Sequence, residues 1–141
     1  MINKKYIWGL AFICLFALTQ CVNNNNDNLK HNFDTPRSAA DAWLKCIENK
    51  DIDGLTNLIY GYDNFSEKEK IEFRYGAEKS FIEQDELNVK MSIADIIVSP
   101  DGYSATTKIN IQYTENGKEK THTETGPFFE KTDEGWKLVR K

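Results

Sequence analysis

An α+β fold, with helices first and an antiparallel sheet after, is predicted for this 141-residue chain on three observations. From Thr35 to Leu87 apolar residues recur every three or four positions, which is helical spacing. After Leu87 they alternate with polar residues, as in a strand with one buried face, through Val89, Met91 and Ile93 and again from Tyr103 to Tyr113. Asn116-Gly117 then gives the strongest short hairpin signal, ahead of a third run. Helices followed by an antiparallel meander make a layered α+β domain.

Each element has its own signal. Thr35 caps a first helix, with Pro36 at its first position and Ala39, Trp43, Cys46 and Ile47 on its apolar side. Asp51 caps a short second helix that turns Ile52, Leu55, Leu58 and Ile59 inward and ends at Gly61. Ser66-x-x-Glu69 is a capping box opening a third helix, on which Ile71, Tyr75, Phe81 and Ile82 form the expected apolar stripe. A three-residue loop at Pro100-Asp101-Gly102 pairs Ser99 with Tyr103, setting Met91 beside Ile111, Ile93 beside Ile109 and Asp95 beside Thr107. A two-residue loop at Asn116-Gly117 pairs Glu115 with Lys118, so Ile111 meets His122 and Ile109 meets Glu124. Lys108, Asn110, Gln112, Thr121, Thr123 and Thr125 then share the opposite, solvated face. Asp133-Glu134-Gly135 turns the chain into a fourth strand at Trp136-Lys137-Leu138-Val139.

The first 20 residues read differently. Lys4 and Lys5 precede an apolar stretch, Tyr6 to Leu18, that has no polar face. As a helix it would be roughly 20 Å long, against about 30 Å of membrane hydrocarbon, which suits a signal-peptide core and not a span. Cys21 stands where cleavage should fall, and Val22 to Asp34 is an Asn-rich stretch without apolar period, expected as a disordered tether. Leu18-Thr19-Gln20-Cys21 resembles the lipobox of bacterial lipoproteins, with leucine three residues before the modified cysteine. Gln20 departs from the Gly, Ala or Ser that the family prefers before the cut. The resemblance implies a signal peptide at 1–20, a lipidated tether at 21–34 and a domain at 35–141, with thioether-linked diacylglycerol on Cys21 (acyl groups of the palmitate kind). It also implies a cell-envelope location. Val22 in place of an aspartate after the cysteine points to the outer membrane.

Charge narrows the partners. Loss of Lys4 and Lys5 would take 18 basic residues to 16, against 22 acidic ones. Such a chain does not offer the clustered cations that nucleic acid requires. Loss of Cys14 and lipidation of Cys21 would leave Cys46 alone, with no disulfide to make and a place on an apolar helix face. Two histidines, with His31 in the tether, do not build a metal site, and no cofactor motif is present.

The candidate site follows from the register. Asp95, His122 and Glu124 fall on the Ile-bearing face among Val89, Met91, Ile109, Ile111 and Tyr113; Tyr75 and Tyr60 complete the expected pocket residues. Polar groups among apolar ones on a concave surface are what a ligand pocket needs. A bulge at Ala94 to Ile96 would instead turn Asp95 outward and bring Ile96 and Val98 in.

Thr35-Pro36 through Trp43, the link Asn49-Lys50-Asp51-Ile52-Asp53-Gly54 and the terminal Gly135-Trp136-Lys137-Leu138 carry a second resemblance. Together they are similar to the nuclear transport factor 2-like superfamily, and within it to bacterial lipoprotein domains of unknown function. The resemblance implies three helices packed in the concave face of a curved four-stranded antiparallel sheet, a cone with a pocket. It leaves three roles open. The first is a non-catalytic envelope module binding a small molecule or a protein. The second is a cofactor-free acid–base enzyme, an isomerase or dehydratase using Asp95 with His122 or Tyr75. The third is a structural homodimer joined through the sheet face.

Overall fold

A computed structural model describes residues 33–139 of the chain; the leader, Cys21, His31 and nearly all of the tether lie outside the described residues. Three helices precede four strands: α1 (Pro36–Asn49), α2 (Ile52–Leu58), a 3₁₀ turn (Tyr62–Asn64), α3 (Glu67–Glu86), then β1 (Lys90–Val98), β2 (Ser104–Glu115), β3 (Lys118–Thr132) and β4 (Gly135–Leu138). The strands form one antiparallel sheet in chain order.

Local chemistry sets the helix starts as the sequence indicates. Thr35 and Ser38 bond reciprocally across the first turn of α1, and Ser66 and Glu69 do the same for α3. At α2 the Asp51 carboxylate accepts from the Gly54 N–H at 2.8 Å. Lys50 closes α1 in the left-handed region, its N–H bonding back to Cys46 and Ile47 carbonyls.

Helix α1 packs across the sheet from β1 to β4, and its Ala39, Ala40, Trp43 and Ile47 lie in one core with Leu55 and Leu58 of α2. Helix α3 adds Ala77 and Phe81, and the sheet adds Ala105, Ile109, Ile111, Phe129, Trp136 and Leu138. On α3 the structure corrects the expected stripe. Phe81 is buried, while Ile71, Tyr75 and Ile82 are 66%, 68% and 60% exposed. Both faces of this helix carry apolar residues, so periodicity alone did not pick the inner one.

The sheet's register is right in one half and shifted in the other. Met91 pairs with Ile111, Ile93 with Ile109, Ile111 with His122, and Ile109 with Glu124. Asn116 and Gly117 both have positive φ, 53° and 73°, as the two-residue hairpin requires. The β1–β2 loop is one residue longer than expected, however: the Ser99 N–H donates to the Ser104 carbonyl at 2.8 Å. An extra residue between Ile93 and Asp95 absorbs the difference, so Asp95 pairs with Lys108 and Ile96 faces Thr107. A second irregularity puts one extra residue in β3 at Gly126-Pro127, a cis peptide, opposite Thr107 of β2.

The segment that leads into α1 is tied to β4. Phe33, assigned by the sequence to the tether, already belongs to the domain: its carbonyl accepts from the Trp136 N–H at 2.8 Å. The Tyr60 N–H donates to Leu138 at 3.0 Å, so β4 is covered on its outer edge. Lys137, only 2% exposed, donates through Nζ to the Asn57 carbonyl in the last turn of α2 at 2.9 Å. The negative end of a helix is where a buried cation finds a partner.

Gly54 supplies a test of this packing. A Cβ there would stand 2.5 Å from the Asp51 carboxylate and 2.7 Å from the Cys46 sulfur. Alanine is normally better than glycine inside a helix by roughly 0.8–1 kcal/mol. Gly54→Ala is expected to reverse that sign and lower stability by about 1–3 kcal/mol in urea unfolding, since overpacking and a displaced cap outweigh propensity.

Candidate functional site

The concave face can be read row by row from the strand register. Tyr113 and Lys120 form one row; Met91, Ile111 and His122 the next; then Ile93, Ile109 and Glu124; then Ile96, Thr107 and the Gly126-Pro127 bulge; then Ala105 and Phe129. Partners across a strand pair share a face. The β1 side of this surface is therefore aliphatic, and the β3 side is polar. That polar stretch, from Lys118 to Gly126, is also a sheet edge with no strand beside it among the described residues, because β4 pairs only from Phe129 to Thr132.

His122 and Glu124, two positions apart on the same face, are joined by a 2.8 Å bond between Nε2 and Oε1. Both side chains are about a third exposed, at 31% and 28%. Tyr113 meets the imidazole edge-on, with ring centroids 5.5 Å apart and planes at 83°. In the neutral ring this bond makes Nε2 the donor and leaves Nδ1 as the acceptor. One row further out, Lys120 pairs with Glu115, which holds its ammonium above the usual lysine range. Lys120, His122, Glu124, Glu115 and Tyr113 thus gather along one rim.

The other expected pocket residues lie elsewhere. Asp95 is exposed, turned away from the Ile-bearing face by the β1 bulge, and its Oδ1 accepts from the Ile96 N–H at 2.9 Å. Tyr75 stands on the solvent side of α3, opposite the helix face that carries Ala77 and Phe81. Tyr60 is 46% exposed, with its backbone docked on β4. The set Asp95, His122 and Tyr75 is therefore not assembled in one place.

Two groups outside the expected pocket residues face inward. Thr107 is fully buried and Trp43 is 3% exposed, and among the described residues neither the threonine hydroxyl nor the indole N–H has a protein hydrogen-bond partner. Buried groups of this kind nearly always have one, and each unpaired group costs about 1–3 kcal/mol. The register could have located Thr107, since β2 alternation puts it between Ala105 and Ile109; no sequence pattern reveals a missing partner. Cys46 is different. Burial and the nearby Asp51 charge raise its thiol pKa, so it is a poor nucleophile. Among the described residues no group of three His, Cys, Asp or Glu side chains converges as a metal would need, and no helix is long and apolar enough to cross a membrane.

This arrangement of three helices on an open antiparallel sheet is matched by the SnoaL-like domain family, over residues 37–141. The chain belongs to that family. Solved structures agree on the nuclear transport factor 2-like fold. A putative NTF2-like transpeptidase from Campylobacter jejuni superposes with a TM-score of 0.51 at 15% identity, over 76% of this chain and 100% of that one. A putative calcium/calmodulin-dependent protein kinase type II association domain from Thiobacillus denitrificans gives 0.52 at 12% identity, over 76% and 92%. At such identities the likeness shows a shared fold and nothing of activity. No curated protein matches the chain in sequence. The SnoaL-like fold serves binding modules and enzymes alike, so function rests on the site.

The Thr107 hydroxyl makes a direct prediction. Thr107→Val replaces the hydroxyl with a methyl of similar shape. It is expected to stabilise the protein by on the order of 1 kcal/mol in urea unfolding. A loss of 2 kcal/mol or more would show that the hydroxyl is already satisfied.

Proposed function

We propose that this SnoaL-like domain is the soluble part of a lipid-anchored envelope lipoprotein, and that its concave face binds a small amphipathic molecule without transforming it. The observation that carries the binding reading is the pairing of two features on the concave side. Thr107 and Trp43 offer buried donors without protein acceptors, while Tyr113, His122 and Glu124 form a half-exposed polar rim. A ligand with an apolar body, an acceptor such as a carbonyl at its inner end and a polar outer end suits both. Aliphatic walls from Met91, Ile93, Ile109 and Ile111 supply the rest. A non-catalytic role is supported by the outward Asp95, which leaves the expected acid–base set apart.

Anchoring is supported by the leader and by Leu18-Thr19-Gln20-Cys21. Each acyl CH₂ buried in a membrane contributes about 0.8 kcal/mol, so two chains hold a protein there durably. A second reading, acid–base catalysis, has the His122–Glu124 bond in its favour, since a carboxylate that orients an imidazole prepares it to move a proton.

Two experiments decide between these readings. Metabolic labelling with a radioactive or alkyne fatty acid is expected to mark the full chain, and Cys21→Ser to abolish both the label and membrane partition. Native mass spectrometry of the purified protein is expected to show a retained small molecule. Trp43→Phe with Thr107→Val should weaken its retention at least tenfold, or about 1.4 kcal/mol, while the fold persists. Conversion of the released molecule, lost in Glu124→Gln, would establish the enzyme in place of the binding module.

A further inference from the structure

Helix α3 presents a second apolar stripe, on the side away from the core. Counting about 100° per residue, Ile71, Tyr75, Glu78 and Ile82 fall within roughly 60° of arc. The buried Ala77, Ser80, Phe81 and Gln84 occupy the opposite side. Three large apolar side chains, each three-fifths exposed or more, in one line on one helix are not scattered surface residues.

The stripe has a symmetry that scattered residues lack. Its spacing runs four, three, four, so it reads the same in both directions about a point between Gly76 and Ala77. A helix with that property can pack against its own copy, antiparallel, with every apolar position met. Ile71 then faces the partner's Ile82, and Tyr75 faces the partner's Glu78, where a phenol can donate to a carboxylate.

The flanking charges agree. In an antiparallel pair each flank meets its own copy. One flank carries Lys68, Glu72, Lys79 and Glu86. Reversal sets Lys68 within one residue of the partner's Glu86, and Glu72 within two of the partner's Lys79. The other flank brings Arg74 near the partner's Glu78. It also brings Glu67 near the partner's Asp85, a like-charge meeting that is softened within each chain. Glu67 is paired with Lys70, and Asp85 with Lys50. A parallel pair would set the residues of the central line against themselves, giving Glu78 on Glu78.

We propose that the outer face of α3 is a homodimer interface, two copies packing antiparallel about a two-fold axis near Gly76-Ala77. This differs from a dimer through the sheet face and does not depend on lipidation or on a ligand. Three apolar side chains a protomer fall well short of the roughly 20–30 residues a side in a standard interface, so the association is weak and is best trapped covalently. Across such an axis, position 75 lies only about 4.5 Å along the helix from its own copy, whereas position 71 lies about 16 Å from its own.

The test is oxidative cross-linking of the full chain in the cells that express it. Tyr75→Cys and Glu78→Cys are each expected to give a covalent dimer. Ile71→Cys and Ile82→Cys are expected to give none alone, although Ile71 is as exposed as Tyr75, and to give a dimer when combined. Adding Ile71→Asp to the Tyr75→Cys chain should cut the dimer yield at least tenfold; because Ile71 is exposed, the fold should survive. Ile71→Cys dimerising as well as Tyr75→Cys would indicate parallel packing or random collision and would overturn the proposal. Absence of dimer from all four, or an adduct with a different protein in its place, would overturn it equally.

Discussion

Side chains in a strand alternate between faces, so one extra residue sends everything beyond it to the other side. β1 takes such a residue between Ile93 and Asp95, opposite Ile109-Lys108 of β2, and β3 takes one at Gly126-Pro127, opposite Thr107, so the two fall within two residues of each other along β2. The shape of the sheet depends on this proximity. With both neighbours of β2 bulged at nearly one level, the sheet bends there, since a bulge curves its strand and adds twist. The bulges also sort the core. Past the β1 bulge Ile96 turns inward and Asp95 leaves; past the β3 bulge Phe129 turns inward and is fully buried opposite Ala105. A β3 without its extra residue would present Phe128 and Glu130 to the helices, burying a carboxylate and turning out Phe129, the largest of the side chains that are fully buried.

Those two insertions also mark the limit of what the sequence could show. Capping boxes, the proline start of α1 and the Asn-Gly hairpin are written in a few adjacent residues, because each is a local hydrogen-bonding problem with few solutions. The pairings of His122 and Glu124 follow from the Asn-Gly turn by counting, whereas those of Met91 and Ile93 come out as counted only because the β1 bulge offsets the longer loop. At Ala94-Asp95-Ile96-Ile97-Val98 alternation does not arbitrate, since apolar residues stand at both parities, Ala94, Ile96 and Val98 at one and Ile97 at the other. A three-residue loop counted back from Tyr103 puts Asp95 inward; the loop of four and the bulge put it outward. Lys137 shows a different limit. A lysine in an apolar strand looks solvent-facing until an acceptor arrives, and that acceptor, the Asn57 carbonyl, comes from 80 residues away. On α3 the inward stripe was mistaken because the helix has two stripes, and only the packing of α1 and the sheet decides which is covered.

The same geometry explains why the polar groups collect where they do. β4 is four residues long and β3 is fifteen, so most of β3 has a neighbour on one side only. An exposed edge invites another strand, and charged side chains on it discourage that. Lys118, Glu119 and Lys120 begin this edge, and His122 and Glu124 continue it toward the bulge. The side chains that guard the edge are therefore those that rim the concave face. Edge protection alone accounts for the lysines and for Glu119. It does not account for an imidazole and a carboxylate turned inward beside Ile109 and Ile111 and bonded to each other, because an edge is guarded as well by charges turned outward.

Buried donors without acceptors sharpen that distinction. A rim can be polar at little cost, since water reaches it; the floor cannot. Thr107 sits at the bend, where valine would fill the same space and remove an unpaired hydroxyl. Trp43 sits on α1. Stability alone would favour the valine, whereas phenylalanine would remove an unpaired N–H but leave part of the indole's volume empty. In the proposed binding role the bound molecule would supply the missing partner, through an acceptor at the inner end of an otherwise apolar body.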